Sequence, residues 1–358
     1  MTTYRILVSS YAGQISTLDF NPEAGTLTVA GVTKTGPAAS WMELHPSDPS
    51  LLYVTNEVPN GMIQVFRLTN QVVGLNVKLE LLAERSAGGA DPASFALLED
   101  QIVIGNYSGG NLVPIPISKQ EPYFLEPKQP PLNFTGSGPN KSRQESSHPH
   151  QVIIHGEELL IPDLGADKLL RLKQVDGKWE VAGAVSFEAG TGPRHIVVYN
   201  GVLYTGLELV TKISSHKFPS NPHDEVIHLS TLSTLPEGAS PTPDMLLAEV
   251  LLTPTTPEHP DPLIYVTNRN EPLPAGDTIA VFAPHSPDDA GKPFRYLGAV
   301  ATGLQHLRAI SLGGPSSRYL IAGGVNGGGV KVFERTGETL KEIASAPEVE
   351  KPTSFVWL

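Results

Sequence analysis

Seven times along this chain a short run of β-branched and aromatic residues ends at a turn and resumes as a second strand. The clearest copies are Leu52-Tyr53-Val54-Thr55-Asn56-Glu57, followed by Ile63-Gln64-Val65-Phe66, and Ile264-Tyr265-Val266-Thr267-Asn268-Arg269, followed by Ile279-Ala280-Val281-Phe282. A period in the tens of residues constrains architecture before any motif is read, because each copy is one supersecondary unit that buries its apolar face only by stacking on its neighbours. Aligned on the strand end, the copies fall at Ser10, Asn56, Asn106, Asp163, Leu207, Asn268 and Gly324, with gaps of 46, 50, 57, 44, 61 and 56 residues. Each gap has room for four short strands, so the pattern predicts an all-β, seven-bladed β-propeller in a single domain over residues 1–358. An open solenoid or a pair of sandwiches is the competing architecture.

The first copy, Ile6-Leu7-Val8-Ser9-Ser10, has no strand ahead of it. The final residues, Pro352-Thr353-Ser354-Phe355-Val356-Trp357-Leu358, resemble Pro92-Ala93-Ser94-Phe95-Ala96-Leu97-Leu98, which lead into the third copy. The C-terminal strand is therefore expected to complete the first blade and close the ring, removing open sheet edges that would template aggregation.

Composition supports this reading. The 34 Gly and 33 Pro suit a turn-laden β protein, and a net charge of −12 argues against nucleic acid or an anionic membrane as partner. No window has the apolar length of a membrane span. Met1-Thr2-Thr3-Tyr4-Arg5 lacks the basic start and apolar core of a secretion signal, so a cytoplasmic location is expected. There is no cysteine, which excludes disulfide and thiolate chemistry. Two proline-rich stretches, 118–147 and 213–244, are expected to be long surface loops.

In a propeller, equivalent repeat positions converge although they are distant in sequence. The position after the strand end reads Tyr11, Glu57, Tyr107, Leu164, Glu208, Arg269 and Val325, a mixture of Glu, Arg and Tyr that suggests a polar pocket rather than a set of structural turns. A second level comes from the segments leading into the copies. These are Ser147-His148-Pro149-His150-Gln151, Gly192-Pro193-Arg194-His195 and His306-Leu307-Arg308, which put His148, His150, Arg194 and Arg308 beside the first set. His148 and His150 alternate by two and would share one side of a strand. That spacing also suits a metal, but no third ligand stands nearby, and a metal site needs ligand number as well as spacing. Asp163 and Asp167 read as turn formers. The run Gly323 to Gly329 reads as a tight turn between strands, having neither the lysine nor the helix of a phosphate loop.

These segments together resemble the seven-bladed propeller lactonase family, which includes bacterial 6-phosphogluconolactonase and fungal carboxy-cis,cis-muconate cyclase. The resemblance rests on Gly138-Pro139-Asn140 through Arg143-Gln144 to Ser147-His148-Pro149-His150-Gln151, and on Ile161-Pro162-Asp163-Leu164-Gly165-Ala166-Asp167-Lys168. It rests also on Gly190-Thr191-Gly192-Pro193-Arg194-His195, Val266-Thr267-Asn268-Arg269 and Gly105-Asn106-Tyr107-Ser108-Gly109-Gly110. It implies an active-site set of His148, Arg194, Glu208 and Arg269, with His150, Glu57, Tyr107 and Arg308 as substrate-binding neighbours, and a reaction without metal or other cofactor. The chain departs from the family pattern at Gly324, where an Asn is usual, and by an insertion between Pro272 and Asp277.

The implied reaction makes or opens the lactone ring of a small anionic acid. For hydrolysis, Arg194 and Arg269 would pair with anionic oxygens through two parallel hydrogen bonds, as the planar guanidinium allows. His148 would activate water as general base, and Glu208 would hold His148 or an arginine or carry the leaving-group proton. The same four residues serve a lactonising cyclase, in which a substrate carboxylate adds across a double bond. In the absence of a phosphate-binding nest, a carboxylated or unphosphorylated lactone is the expected substrate. A non-catalytic interaction scaffold is the alternative from another class; it predicts no thermal shift with dicarboxylates.

Overall fold

The structure, a computed structural model, describes residues 2–69, 77–285 and 294–358. Among them are seven four-stranded antiparallel sheets, the blade set of a seven-bladed β-propeller, with helix confined to two one-turn 3₁₀ segments. Blade 1 consists of Pro352–Trp357, Tyr4–Ser10, Gln14–Asn21 and Thr26–Lys34, in that order across the sheet. The C-terminal strand thus takes the place that the first strand takes in every other blade, as the likeness of its sequence to residues 92–98 predicts. Ser10, Asn56, Asn106, Asp163 and Leu207 are each the last residue of the second strand of a blade; Asn268 is the last but one, and Gly324 lies just inside the end of Tyr319–Gly327.

The described residues gather into two compact units. One comprises Leu7–Leu18, Ala30–Gly192 and Leu358, and holds blades 2, 3 and 4. The other comprises Met1–Ile6, Asp19–Val29 and Pro193–Trp357, and holds blades 5, 6 and 7. In each unit adjacent blades pack face to face. Leu51, Tyr53, Ile63 and Val65 of blade 2 meet Phe95, Ile102, Ile104 and Ile115 of blade 3, and Val103 and Leu112 meet Leu159, Ile161 and Leu172 of blade 4. In the other unit Tyr204 and Ile213 of blade 5 meet Leu247, Ile264 and Phe282 of blade 6, and Tyr265 and Val281 meet Leu307, Leu320 and Phe333 of blade 7.

This packing explains the strand sequences. Second strands are covered on both faces and carry unbroken apolar runs, as in Asp48–Asn56, where every residue from 51 to 54 is apolar and buried. Fourth strands have one open face and alternate, as in Lys178–Ser186 and Lys78–Ser86. In five blades the pairing of third and fourth strands carries a bulge at the same place, at Val65/Phe66, Arg171/Leu172, Ser215/His216, Val281/Phe282 and Val332/Phe333. A bulge adds one unpaired residue and increases the local twist.

Of the two expected loops, 213–244 is corrected and 118–147 is largely irregular, as expected. Residues 213–244 contain most of Lys212–Lys217 and all of Ile227–Ser233, the third and fourth strands of blade 5. The prolines of this stretch lie in the connections, where no ladder hydrogen bond is required. Within 118–147, Leu132–Asn133 forms the short fourth strand of blade 3, and the remainder is irregular. The glycine run is a hairpin between the second and third strands of blade 7, as expected. Gly324 cannot be Asn here, because a Cβ would stand 2.2 Å from the Gly327 carbonyl oxygen.

A buried ion pair joins neighbouring strands of blade 4. Arg171 Nε and Nη2 donate to Glu158 Oε2 and Oε1 at 2.6 and 2.8 Å, with both residues almost fully buried. Glu158→Ala leaves the guanidinium buried without its counter-charge and is expected to cost about 3–5 kcal/mol in urea unfolding. The double replacement of Glu158 by Leu and Arg171 by Met, which removes both charges, should recover most of that loss.

Candidate active site

In the unit of blades 5, 6 and 7 three of the predicted residues meet. Glu208 begins a single 3₁₀ turn, Glu208–Val210, directly after the second strand of blade 5, and Thr211 closes the turn in the left-handed region. This short turn carries the carboxylate into the interior, where Glu208 is 1% exposed. Its Oε2 lies 2.9 Å from Arg194 Nε and 3.0 Å from Arg269 Nη2, so one carboxylate oxygen is shared by two guanidinium groups. The Arg194 contact is an ion pair out of line for a hydrogen bond. Arg194 Nη1 donates to Ala248 O at 2.5 Å, and Arg269 Nη2 to Leu247 O at 3.0 Å, so the first strand of blade 6 orients both arginines.

Burial and the neighbouring Arg269 push the Arg194 guanidinium down to about 9, against the pull of Glu208. Arg308, also buried, adds a third positive charge that acts on Arg194. Behind them, His195 Nδ1 and Glu249 Oε1 lie 2.5 Å apart. Burial alone would raise the Glu249 carboxyl; His195 and Arg194 outweigh it and hold the group below its ordinary range. The cluster is therefore Arg194 and Arg269 on one shared oxygen of Glu208, with Arg308 and the His195–Glu249 pair acting on Arg194.

The cluster stands where strand pairing is irregular. Arg194 and His195 fall in the register shift between Pro193 and Ile196, Glu249 in that between Leu247 and Val250, and His306 and Arg308 in two successive shifts from Gln305 to Ala309. Such irregularities re-aim side chains that strict alternation would send to opposite faces.

The other unit holds the remaining predicted residues. His148 and His150 precede the first strand of blade 4 and meet its second strand at the isolated bridge Pro149–Asp163, so the regular strand expected for them is not formed. Their rings nevertheless share one neighbour, Tyr107, which stacks on His148 at 4.4 Å and meets His150 edge-on at 5.6 Å. His148 Nδ1 lies 2.9 Å from the Tyr107 carbonyl oxygen, to which it donates, and Nε2 lies 3.1 Å from Glu145 Oε1. Asp163 accepts from His148 N at 2.7 Å and from Ser147 Oγ at 2.5 Å, so the expected turn former also fixes the histidine segment. Gly165 lets that segment approach, since a Cβ there would lie 1.7 Å from Ser146 O. Tyr11 Oη donates to Glu57 Oε2 at 2.8 Å, joining two residues of the predicted polar level on consecutive blades. Among the described residues no group of three or more His, Asp or Glu side chains could hold a metal ion.

Sequence reasoning missed His306 and Asn270. His306 Nε2 stands 3.5 Å from Arg269 Nη1, and Nδ1 lies 2.9 Å from Asn270 Oδ1. The signals were present: Asn270 follows Arg269, and His306 is two residues before Arg308.

The family model described as Lactonase, 7-bladed beta-propeller, matches residues 5–357. The chain belongs to this lactonase family. Relatives include a probable 6-phosphogluconolactonase of Arthroderma benhamiae, 28% identical over 98% of this chain and 88% of its own length. The 6-phosphogluconolactonase of Bacillus subtilis is 26% identical over 78% of this chain and 77% of its own. Among solved structures, the periplasmic gluconolactonase of Pseudomonas aeruginosa superposes with a TM-score of 0.83 over 100% of this lactonase-family chain and 99% of its own, at 19% identity, a likeness of fold.

Replacing Glu208 by Gln leaves Arg194 and Arg269 buried side by side without their shared counter-charge. The variant is expected to lose about 3–5 kcal/mol in urea unfolding, and inorganic phosphate should restore stability to it more than to the wild type, since an anion bound only by the folded state stabilises by mass action.

Proposed function

We propose that this protein hydrolyses a phosphorylated sugar lactone of the 6-phosphogluconolactone type. One observation carries the reading: Arg194 and Arg269 share one oxygen of Glu208, with Arg308 acting on Arg194, beside a histidine, His306, that burial and these arginines push down to about 4 and so keep neutral. Three arginines against Glu208 and Glu249 leave an excess of positive charge suited to an anionic substrate group, where the sequence alone favoured a carboxylated or unphosphorylated lactone. The names of the two relatives point the same way, and the reading follows the hydrolase rather than the cyclase.

In the proposed reaction the oxygen of a water molecule adds to the lactone carbonyl carbon, and negative charge develops on the carbonyl oxygen. Arg269 donates to that oxygen, and Arg194 and Arg308 hold the anionic group. Collapse breaks the bond from the carbonyl carbon to the ring oxygen, which receives the proton taken from water. The product is an open-chain hydroxy acid that ionises in solution. Glu208 keeps the two guanidinium groups apart and aimed, so they need no reorganisation as charge develops. The part of His148 as the base that takes the water proton rests on the motif resemblance, and requires the Glu145 carboxylate, 3.1 Å from Nε2, to give way to that water.

Proton release from 6-phosphoglucono-1,5-lactone and from glucono-1,5-lactone, followed with a pH indicator, tests the proposal. The phosphorylated lactone should be the better substrate, and Arg308→Ala should raise KM for it more than for the other. Arg269→Ala should lower kcat about 10²–10³-fold, the usual effect of losing one oxyanion donor, and His148→Asn should lower kcat with KM little changed. Equal turnover of both lactones by wild type and Arg308→Ala would remove the phosphate from the reading.

A further inference from the structure

The neutral tautomer of His306 follows from hydrogen-bond accounting. Asn270 Nδ2 donates to the Asp244 carbonyl oxygen at 2.8 Å, an atom that only accepts, so the amide is oriented with Oδ1 toward His306. That oxygen also only accepts, and His306 Nδ1, 2.9 Å away, must carry the hydrogen. Nε2 is then left with its lone pair, and it faces Arg269 Nη1, a group that only donates, at 3.5 Å. His306 is held in this place with φ 58°, in the left-handed region. On either side of this contact the backbone is fastened by Asp277, which accepts from Glu271 N at 2.8 Å and from Leu307 N at 3.0 Å. A residue in that backbone region persists only where its surroundings over-determine it, and such residues gather at functional sites.

We infer that His306 is a positioning residue for Arg269, with Asn270 setting its tautomer, so that the chain from the Asp244 carbonyl through Asn270 and His306 aims one edge of the guanidinium while Glu208 holds the other. The inference rests on the lactonase reading above, in which Arg269 meets the developing oxyanion. A protonated His306 would present hydrogen to a group that can only donate and would add a charge to those facing it, namely Arg269, Arg308 and Arg194, with Glu208 the one opposing charge. Burial and those arginines hold the imidazole down at about 4. Activity that needs the neutral ring therefore rises with pH through that value and is level above it.

The test combines kinetics with one measurement independent of turnover. His306→Leu, which removes the acceptor, should lower kcat by up to about 10²-fold, the cost of a small misplacement of a reacting group, with KM changed little. His306→Gln, whose amide oxygen can accept from Arg269, should recover most of kcat and lose the acid limb of the pH profile. Asn270→Asp places a carboxylate at Nδ1, favours the charged ring and should move the acid limb to higher pH. A His306→Leu variant that is folded and within threefold of wild type in kcat, or an unmoved limb in Asn270→Asp, overturns the inference and leaves the lactonase reading standing. Nitrogen NMR of the wild-type imidazole, assigned through His306→Gln, should show hydrogen on Nδ1 and none on Nε2 at pH 7. The opposite tautomer overturns the inference whatever the activity. A wild type that opens neither lactone removes the lactonase reading, and with it the oxyanion role that Arg269 would be positioned for.

Discussion

A side chain buried at the end of a strand and hydrogen-bonded to the loop before it sets both the end of one element and the path of the next, and this chain does so in blade after blade. Asn56 donates to Pro37 O, Asn106 to Ala87 O and Asn268 to Thr234 O, each reaching back across the loop that enters its own blade. Carboxylates on the following turn reach forward: Asp167 accepts from Gly190 N and Gly192 N just ahead of Arg194, and Asp277 accepts from Leu307 N between His306 and Arg308. Breaking a buried hydrogen bond leaves a partner unsatisfied at about 1–3 kcal/mol, so the ends of these strands are as well determined as their middles. The residue after each anchor inherits that precision, and Arg269, after Asn268, is one of them.

The cationic cluster gains its chemistry from the same economy of position. Glu208, Arg194 and Arg269 come from a turn and two strands, and Ala248 and Leu247 add main-chain acceptors from a third strand. The protein bears a formal charge of −12, yet in the cluster around Glu208 the local balance is reversed by three buried arginines. Net charge describes the exterior. A site for an anion depends on what is desolvated together.

The repeat made the blades, their number and the placement of the C-terminal strand legible in the sequence, because apolar runs covered on both faces recur at a regular period with a turn after each. The level after the anchors was legible for the same reason, as the pairs Tyr11–Glu57 and Glu208–Arg269 show. The strands of blade 5 within 213–244 were hidden by polar, proline-flanked segments such as Ile227–Ser233, whose residues are mostly exposed and carry little apolar signal. His306, Asn270 and Glu249 were hidden for a different reason. They sit in or beside stretches where pairing register shifts, and a period-two reading cannot tell which way such side chains turn.

The bulge that recurs between third and fourth strands has a consequence for the company this protein keeps. A fourth strand is the open border of its sheet, and a flat border invites another chain to add a strand. Five of these borders are kinked one step in, at matching places, and that of blade 3 is only the two residues Leu132–Asn133. A foreign strand laid along such a border loses register after a few residues. At high concentration this protein is thereby guarded against the filaments to which β-rich chains are prone.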